Sequence, residues 1–142
     1  MSKQTEQVMP VGIIIITHSN YGAALLQAAE SILGPLSDCL AMSVDIRVDV
    51  SDTVEDLRSK IDSLNNGNGV IILTDMFGGT PTNLSLSLLS IEGVEVVTGV
   101  NLPMLLRVAS QRGTKIAQLA EEACAAGVQG IISAGEMLRK RG

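Results

Sequence analysis

The only histidine of the chain, His18, comes two residues after a run of isoleucines, and the aspartate Asp75 directly follows a second apolar run, Val70–Thr74. An imidazole that donates its Nδ1–H to a carboxylate has its tautomer fixed, and its Nε2 is then unprotonated and nucleophilic. Taken singly, such a histidine can be a structural residue and such an aspartate a helix or turn cap. Together they predict a histidine that carries a phosphoryl group, with His18 and Asp75 as the catalytic residues.

The residues after Asp75 read MFGGTPTN and have the composition of a phosphate-binding loop. Gly78 and Gly79 let the backbone approach a ligand closely, and Thr80 adds a hydroxyl at the start of the next predicted helix. Donors of this kind stabilise the oxygens of a phosphoryl group during its transfer. An ordinary Gly-Gly turn is the alternative. We predict that Gly78, Gly79 and Thr80 bind phosphate.

Other site chemistries have less support from the sequence. The chain has no Walker A or GxGxxG motif, neither loop contains a lysine, and the GxSxG elbow of serine hydrolases is missing. A flavin would find few aromatic side chains, since Tyr21 and Phe77 are the only ones. Cys39 and Cys124 lie far apart without a CxxC motif, which argues against a zinc site or a disulfide. We therefore expect no metal and no cofactor.

The composition restricts the partners. The formal net charge of −5 argues against a nucleic acid or an anionic membrane surface as the ligand. No stretch reaches the roughly 18 apolar residues of a membrane span, and no signal-peptide pattern is present. The cytoplasm is the expected compartment.

Apolar runs alternate with amphipathic segments along the 142 residues, and this pattern predicts an α/β fold. Residues 1–10 are expected to form a loose N-terminal tail, and residues 11–142 a single domain. The helix over Val54–Leu64 is expected to begin with a capping box of Asp52 and Glu55. The other predicted helices are Tyr21–Leu33, a helix opened by Thr80-Pro81, Leu102–Arg112 and Lys115–Ala126, and the predicted strands are Val11–Ile16, Leu40–Val44, Val70–Thr74, Val94–Thr98 and a short last strand, Gly130–Ala134.

Right-handed crossovers between these strands predict an open, doubly wound parallel sheet. The two most hydrophobic strands, Val11–Ile16 and Val70–Thr74, should be central and adjacent, which gives the strand order 2-1-3-4. Their carboxyl ends then meet where the winding reverses, and open α/β sheets bind ligands in that crevice. His18 and Asp75 lie one or two residues beyond these two strand ends.

Three segments resemble the IIA component of the mannose-family phosphoenolpyruvate:sugar phosphotransferase system: IIIITHSNYGAALLQAAESILG, VIILTDMFGGTPTNLSL and VEVVTGVNLPMLL. The resemblance extends from Val11 to about Leu138. It implies that His18 accepts phosphate on Nε2 from the histidine phosphocarrier protein and passes it to a IIB component. It also implies that Asp75 orients the histidine and that Gly79 and Thr80 receive the phosphoryl oxygens.

The same resemblance implies an assembly. The family forms a homodimer in which the short last strand, here Gly130–Ala134, is exchanged between protomers, and it meets the membrane only through IIC and IID components. Because no IIB segment follows Gly142, we expect the acceptor to be a separate polypeptide.

The sequence departs from the family pattern next to the histidine. The family usually has glycine directly after it, and this chain has Ser19-Asn20. The His-Ser pair resembles the phosphocarrier domain of the dihydroxyacetone kinase system, which lacks the GGTPTN and VNLPM segments. That phosphocarrier and a non-catalytic regulatory binding module are the alternative functions.

Four apolar side chains are predicted to form the rim on which partners dock. An aromatic side chain beside a reactive centre gives contact area at low entropic cost, and methionine adapts to more than one partner. For one of the aromatics, Tyr21, packing on a nearby helix is an equal alternative. The predicted docking residues are Tyr21, Met76, Phe77 and Met104.

Overall fold

The computed structural model describes residues 9–45 and 47–141, so most of the predicted N-terminal tail lies outside the described residues. Strands and helices alternate up to the fourth strand, and three helices follow it. The elements are β1 Gly12–His18, α1 Tyr21–Leu33, β2 Cys39–Val44, α2 Val50–Leu64, β3 Val70–Thr74, α3 Thr80–Leu86, β4 Val94–Thr98, α4 Leu102–Ser110, α5 Ile116–Gln129 and α6 Ala134–Arg141.

The four strands form one parallel sheet in the order β2-β1-β3-β4. This confirms the predicted α/β class and the predicted strand order. Ile16 of β1 is paired with Thr74 of β3, so His18 and Asp75 stand two residues and one residue beyond this last pair. The register therefore places both side chains at the same edge of the sheet.

The core lies on both faces of the sheet because β1 and β3 are covered on both sides. Alternate residues of these strands point to opposite faces, which is why their sequences are continuous apolar runs rather than alternating ones. On one face, Ile13 and Ile15 belong to a cluster that α1, α4 and α5 complete. On the other, Ile14 and Ile16 belong to a cluster with residues of α2.

Helix α2 begins earlier than predicted. The side chain of Asp49 accepts a hydrogen bond of 3.0 Å from the backbone N–H of Ser51, and Asp49 is therefore the N-cap. The predicted cap, Asp52, lies inside the first turn of the helix. The prediction was wrong because the sequence offers two aspartates three residues apart and the first of them makes the capping bond.

The segment predicted as a last strand, Gly130–Ala134, is not a strand in this chain. Helix α5 continues to Gln129, Gly130 caps it, and the N–H of Ile131 bonds to the carbonyl of Val128 in a final turn. Helix α6 then begins at Ala134. Residues 131–133 pair with no strand of the described sheet, and without a paired neighbour their backbone groups cannot form a ladder. The exchange of this segment between two chains stays a prediction.

Within the described ranges, none of the helices combines the length and the apolar character that crossing a membrane requires.

Candidate active site

His18 and Asp75 are in direct contact at the carboxyl ends of β1 and β3. Asp75 Oδ2 lies 2.7 Å from His18 Nδ1 and also accepts the backbone N–H of His18 at 2.9 Å. The second carboxylate oxygen accepts the backbone N–H of Met76 at 3.0 Å. The side chain of Asp75 is 13% exposed and that of His18 is 52% exposed. The predicted pair is thus formed by a mostly buried carboxylate and an accessible imidazole.

The environment of Asp75 keeps it ionised. Burial by itself raises the pKa of this carboxyl group, but the hydrogen bonds from the backbone and side chain of His18 outweigh that effect and hold the pKa below its usual value. An ionised carboxylate can only accept hydrogen bonds, so Nδ1 of His18 must be the protonated nitrogen of the pair. In the neutral ring, Nε2 is then left with a free lone pair.

The glycines after Asp75 are needed for two different reasons. Gly78 has φ +84°, a left-handed conformation that strains other residues, although a Cβ there would meet nothing within 4 Å. Gly79 instead lies against the histidine ring, since a Cβ at this position would be 2.9 Å from Cε1 and 3.5 Å from Nε2 of His18. Thr80 follows as the exposed first residue of α3. The predicted phosphate-binding loop therefore borders Nε2.

A group of buried hydroxyls lies beneath this loop and was not singled out from the sequence. Thr82 Oγ1 donates to the carbonyl of Met76 at 2.6 Å and lies 2.6 Å from Thr74 Oγ1. Thr98, the last residue of β4, is a more distant neighbour of Thr82 at 3.4 Å between hydroxyl oxygens. One sequence feature could have indicated these hydroxyls: two neighbouring strands both end in threonine, Thr74 and Thr98, where an apolar residue would be expected.

The residue after the histidine, Ser19, has φ +51° and so adopts the left-handed conformation that favours glycine. The hydroxyl of Ser43, near the end of β2, donates to the carbonyl of Ser19. On the other side, the buried Thr17 hydroxyl accepts the N–H of Gly22 at 2.8 Å. These two bonds hold the turn between β1 and α1.

Three of the four predicted docking residues lie on the surface at this edge. Phe77 is 74% exposed, Met76 is 56% exposed and Tyr21 is 42% exposed. Tyr21 also donates its hydroxyl to the carbonyl of Val100 at 3.0 Å, so it ties α1 to the loop before α4 as well.

Met104 does not belong to this rim, and its predicted docking role was wrong. It is 3% exposed and is a member of the core. The phase of α4 turns it toward α5, where a Cβ at Gly127 would lie only 2.9 Å from Met104 Cε.

Over the described ranges, no three side chains of His, Cys, Asp or Glu lie close enough together to hold a metal ion.

Comparison with known proteins gives a consistent result. The family model described as "PTS system fructose IIA component" matches residues 12–129. The PTS system mannose-specific EIIAB component of Escherichia coli K12 is 31% identical over 99 residues, which are 69% of this chain and 31% of that protein. The PTS system fructose-specific EIIA component of Bacillus subtilis 168 is 28% identical over 103 residues, which are 72% of this chain and 70% of that protein. The match thus spans less than a third of the Escherichia coli relative.

Solved structures resemble the fold closely. The crystal structure of the PTS IIA protein associated with the fucose utilization operon from Streptococcus pneumoniae has a TM-score of 0.81 and 26% identity, with 92% of this chain and 97% of that chain covered. The resemblance stated from the sequence is confirmed by these findings. The chain belongs to the family of mannose- and fructose-type IIA components of the phosphotransferase system.

Proposed function

We propose that this protein is a phosphoryl carrier of a sugar phosphotransferase system. Nε2 of His18 accepts a phosphoryl group from the phosphohistidine of the histidine phosphocarrier protein and passes it to a histidine of a IIB component. The observation that supports this most directly is the 2.7 Å contact between His18 Nδ1 and Asp75 Oδ2. It fixes the tautomer in which Nε2 is the nucleophile.

The transfer is a displacement at phosphorus. The lone pair of Nε2 forms the new N–P bond while the N–P bond of the donor breaks, and the electron pair of that bond returns to the donor imidazole. The phosphorylated ring of His18 keeps its Nδ1–H and is positively charged. The ionised Asp75 stabilises that charge through the same hydrogen bond, so no proton has to move within the pair.

The glycine loop supports the transferring group. Gly79 lies beside Nε2 and has no side chain in the space where a phosphoryl group would enter. We expect the backbone N–H groups of Gly79 and Thr80, with the Thr80 hydroxyl, to bind the phosphoryl oxygens. Donors that are already oriented stabilise the charge of the transition state without reorganising.

Labelling tests the proposal directly. The protein is incubated with radiolabelled phosphoenolpyruvate, enzyme I and the histidine phosphocarrier protein. We expect one phosphoryl group per chain, labile in acid and stable in alkali, and no label on His18→Ala. Because His18 is the only histidine of the chain, any phosphohistidine must form there. An unlabelled wild-type protein would contradict the proposal and favour a non-catalytic binding module.

The identity of the acceptor distinguishes a sugar phosphotransferase carrier from a dihydroxyacetone kinase phosphocarrier. Isolated phosphorylated protein is mixed either with a mannose-type IIB component or with the dihydroxyacetone kinase subunits, and the loss of label from His18 is followed. We expect transfer to IIB. Transfer to the kinase subunits alone would identify the dihydroxyacetone kinase phosphocarrier instead.

A further inference from the structure

The loop that carries Asp75 is held from the inside of the molecule. Its outer side chains, Met76 and Phe77, are 56% and 74% exposed and contribute little packing. The position of the loop must therefore depend on its backbone hydrogen bonds. The Met76 N–H binds Asp75 Oδ1 at 3.0 Å, and the Met76 carbonyl accepts from Thr82 Oγ1 at 2.6 Å.

The direction of the hydrogen bonds around Thr82 follows from its single hydroxyl proton. That proton is donated to the Met76 carbonyl, so Thr74 must donate its own proton to Thr82 Oγ1 across 2.6 Å. Thr74 and Thr82 are 0% and 1% exposed, and water therefore cannot replace the bond between them. Loss of the Thr82 hydroxyl would leave the buried Thr74 hydroxyl without a partner and would release the Met76 carbonyl.

We propose that Thr82 is a positioning residue whose buried hydroxyl fixes the Met76 carbonyl and thereby keeps the Asp75 carboxylate on Nδ1 of His18. The path is short, because Met76 is bonded to Thr82 through its carbonyl and to the Asp75 carboxylate through its N–H. Only the rate measurement below rests on the proposed phosphoryl transfer. The geometry of the resting site is tested independently.

The single histidine makes the first test unambiguous. Full-length protein without a tag is labelled with ¹⁵N at histidine, and long-range ¹H–¹⁵N spectra are recorded at an alkaline pH at which the spectrum no longer changes with pH. We expect wild-type His18 to be protonated at Nδ1. In Thr82→Val, which keeps the shape but loses the hydroxyl, we expect the signals to shift toward a mixture with the Nε2-protonated tautomer. Thr82→Ser keeps the hydroxyl and should restore the wild-type spectrum.

Ser85→Ala is the matched control. Ser85 lies on the same helix and is also fully buried, but its hydroxyl bonds to the Pro81 carbonyl within the helix. This variant loses a buried hydroxyl without touching the loop, and we expect its His18 spectrum to be wild-type. If Thr82→Val does not fold, Thr82→Ala takes its place in the comparison with Thr82→Ser.

The second test is the rate of phosphorylation by the phosphocarrier protein. Misplacement of a reacting group by a fraction of an ångström to 1 Å lowers rates by about 10- to 100-fold, and we expect a loss in this range for Thr82→Val. A wild-type spectrum in folded Thr82→Val, or an equal spectral shift in Ser85→Ala, would overturn the positioning role. If wild-type protein takes no label but Thr82→Val still shifts the tautomer, the positioning role stands and the phosphoryl-carrier proposal fails.

Discussion

At the scale of single residues, one oxygen of Asp75 determines the orientation of the histidine. Asp75 Oδ2 accepts both the ring Nδ1–H and the backbone N–H of His18. The ring is thereby fixed relative to its own main chain, and the acceptor that fixes it comes from the neighbouring strand. A carboxylate can accept two such bonds in one place, whereas an amide oxygen cannot supply the charge that the phosphorylated ring needs.

Asp75→Asn should therefore slow phosphoryl acceptance. The amide keeps the size of the side chain but loses its charge, and it can hold the ring in the wrong tautomer. We expect a rate lower by about 100-fold, which is the usual effect of removing one preorganised electrostatic partner of a transition state. The rate is measured in the labelling assay under single-turnover conditions.

Asp45→Asn is the control for this variant. Asp45 follows β2 as Asp75 follows β3, but its carboxylate pairs with the exposed Arg47. We expect its rate to be unchanged. An Asp75→Asn protein as fast as wild type would remove the carboxylate from the mechanism and leave it as a turn cap.

The same carboxylate should make stability depend on pH. Its pKa in the folded protein is below the ordinary value of 3.8, so the unfolded chain binds the proton more readily. The stabilisation by Asp75 is then fully present above the unfolded pKa and is lost as the pH falls through the folded pKa. Urea unfolding of wild type and Asp75→Asn should give a stability difference that shrinks as the pH falls below about 4. A difference that does not shrink in that acidic range would contradict this assignment.

The sequence was sufficient to predict His18 and Asp75 but not the residues that hold them. Both follow apolar runs whose pairing can be predicted, and strand ends of a parallel sheet meet at one edge. The contact of Thr82 with the Met76 carbonyl depends on how α3 leaves the loop, which no local pattern encodes. The hydrogen bond from Ser43 to Ser19 joins β2 to the turn after β1, and no local sequence pattern predicts it either.

At the scale of elements, the sequence predicted correctly the segments whose apolar pattern is clear. It failed at the start of α2 and in the C-terminal segment, residues 130–134. The ranges of α1, β3 and β4 are those predicted, because each is a clear apolar or amphipathic run with distinct boundaries. The burial of Met104 was missed because it depends on the phase of α4 against α5. A residue three positions into a helix at the edge of the crevice can face either way.

The loop between β3 and α3 gives a prediction about partner docking. Phe77→Ala should lower the rate of productive encounter with the phosphocarrier, the IIB component or both by about tenfold, since a central aromatic contact contributes upward of 1 kcal/mol. Because the ring is 74% exposed, the free energy of unfolding should change by less than about 0.5 kcal/mol. Stopped-flow transfer at varied partner concentration measures the first quantity and urea unfolding the second.

Leu89→Ala is the matched control for docking. Leu89 is also apolar and exposed, at 42%, but it follows α3 rather than lying in the loop. We expect its transfer kinetics to be those of wild type. A large loss of stability in Phe77→Ala with unaltered kinetics would show that Phe77 is a packing residue and that the docking hypothesis is wrong.

At the scale of the whole molecule, the chain leaves apolar surface uncovered at its C-terminal end. Among the described residues, α6 contributes none that is buried. Apolar surface of this kind marks an interaction site more often than a free surface. The exposed apolar side chains of this region are Val128, Ile131, Ile132, Met137 and Leu138.

The outer edge of β4 is a second surface that the described chain leaves uncovered. Its sheet ends there in the described part of the chain, and the backbone groups along that edge have no ladder partner. A second copy that lays residues 130–134 along an edge would cover apolar side chains and satisfy backbone groups at once.

The family resemblance implies a homodimer in which this segment is exchanged, and on that hypothesis we expect Ile132→Asp to weaken the dimer. Ile132 and Ile32 are both 58% exposed, so Ile32→Asp on α1 is a control with the same residue type and the same exposure. Burying a charge in an interface is costly, whereas on a free surface it is nearly neutral. Sedimentation equilibrium should show dimers for wild type and Ile32→Asp and mainly monomers for Ile132→Asp. A wild-type protein that sediments as a monomer at every concentration, or a dimer that Ile32→Asp dissociates equally, would show that the C-terminal segment is not the interface.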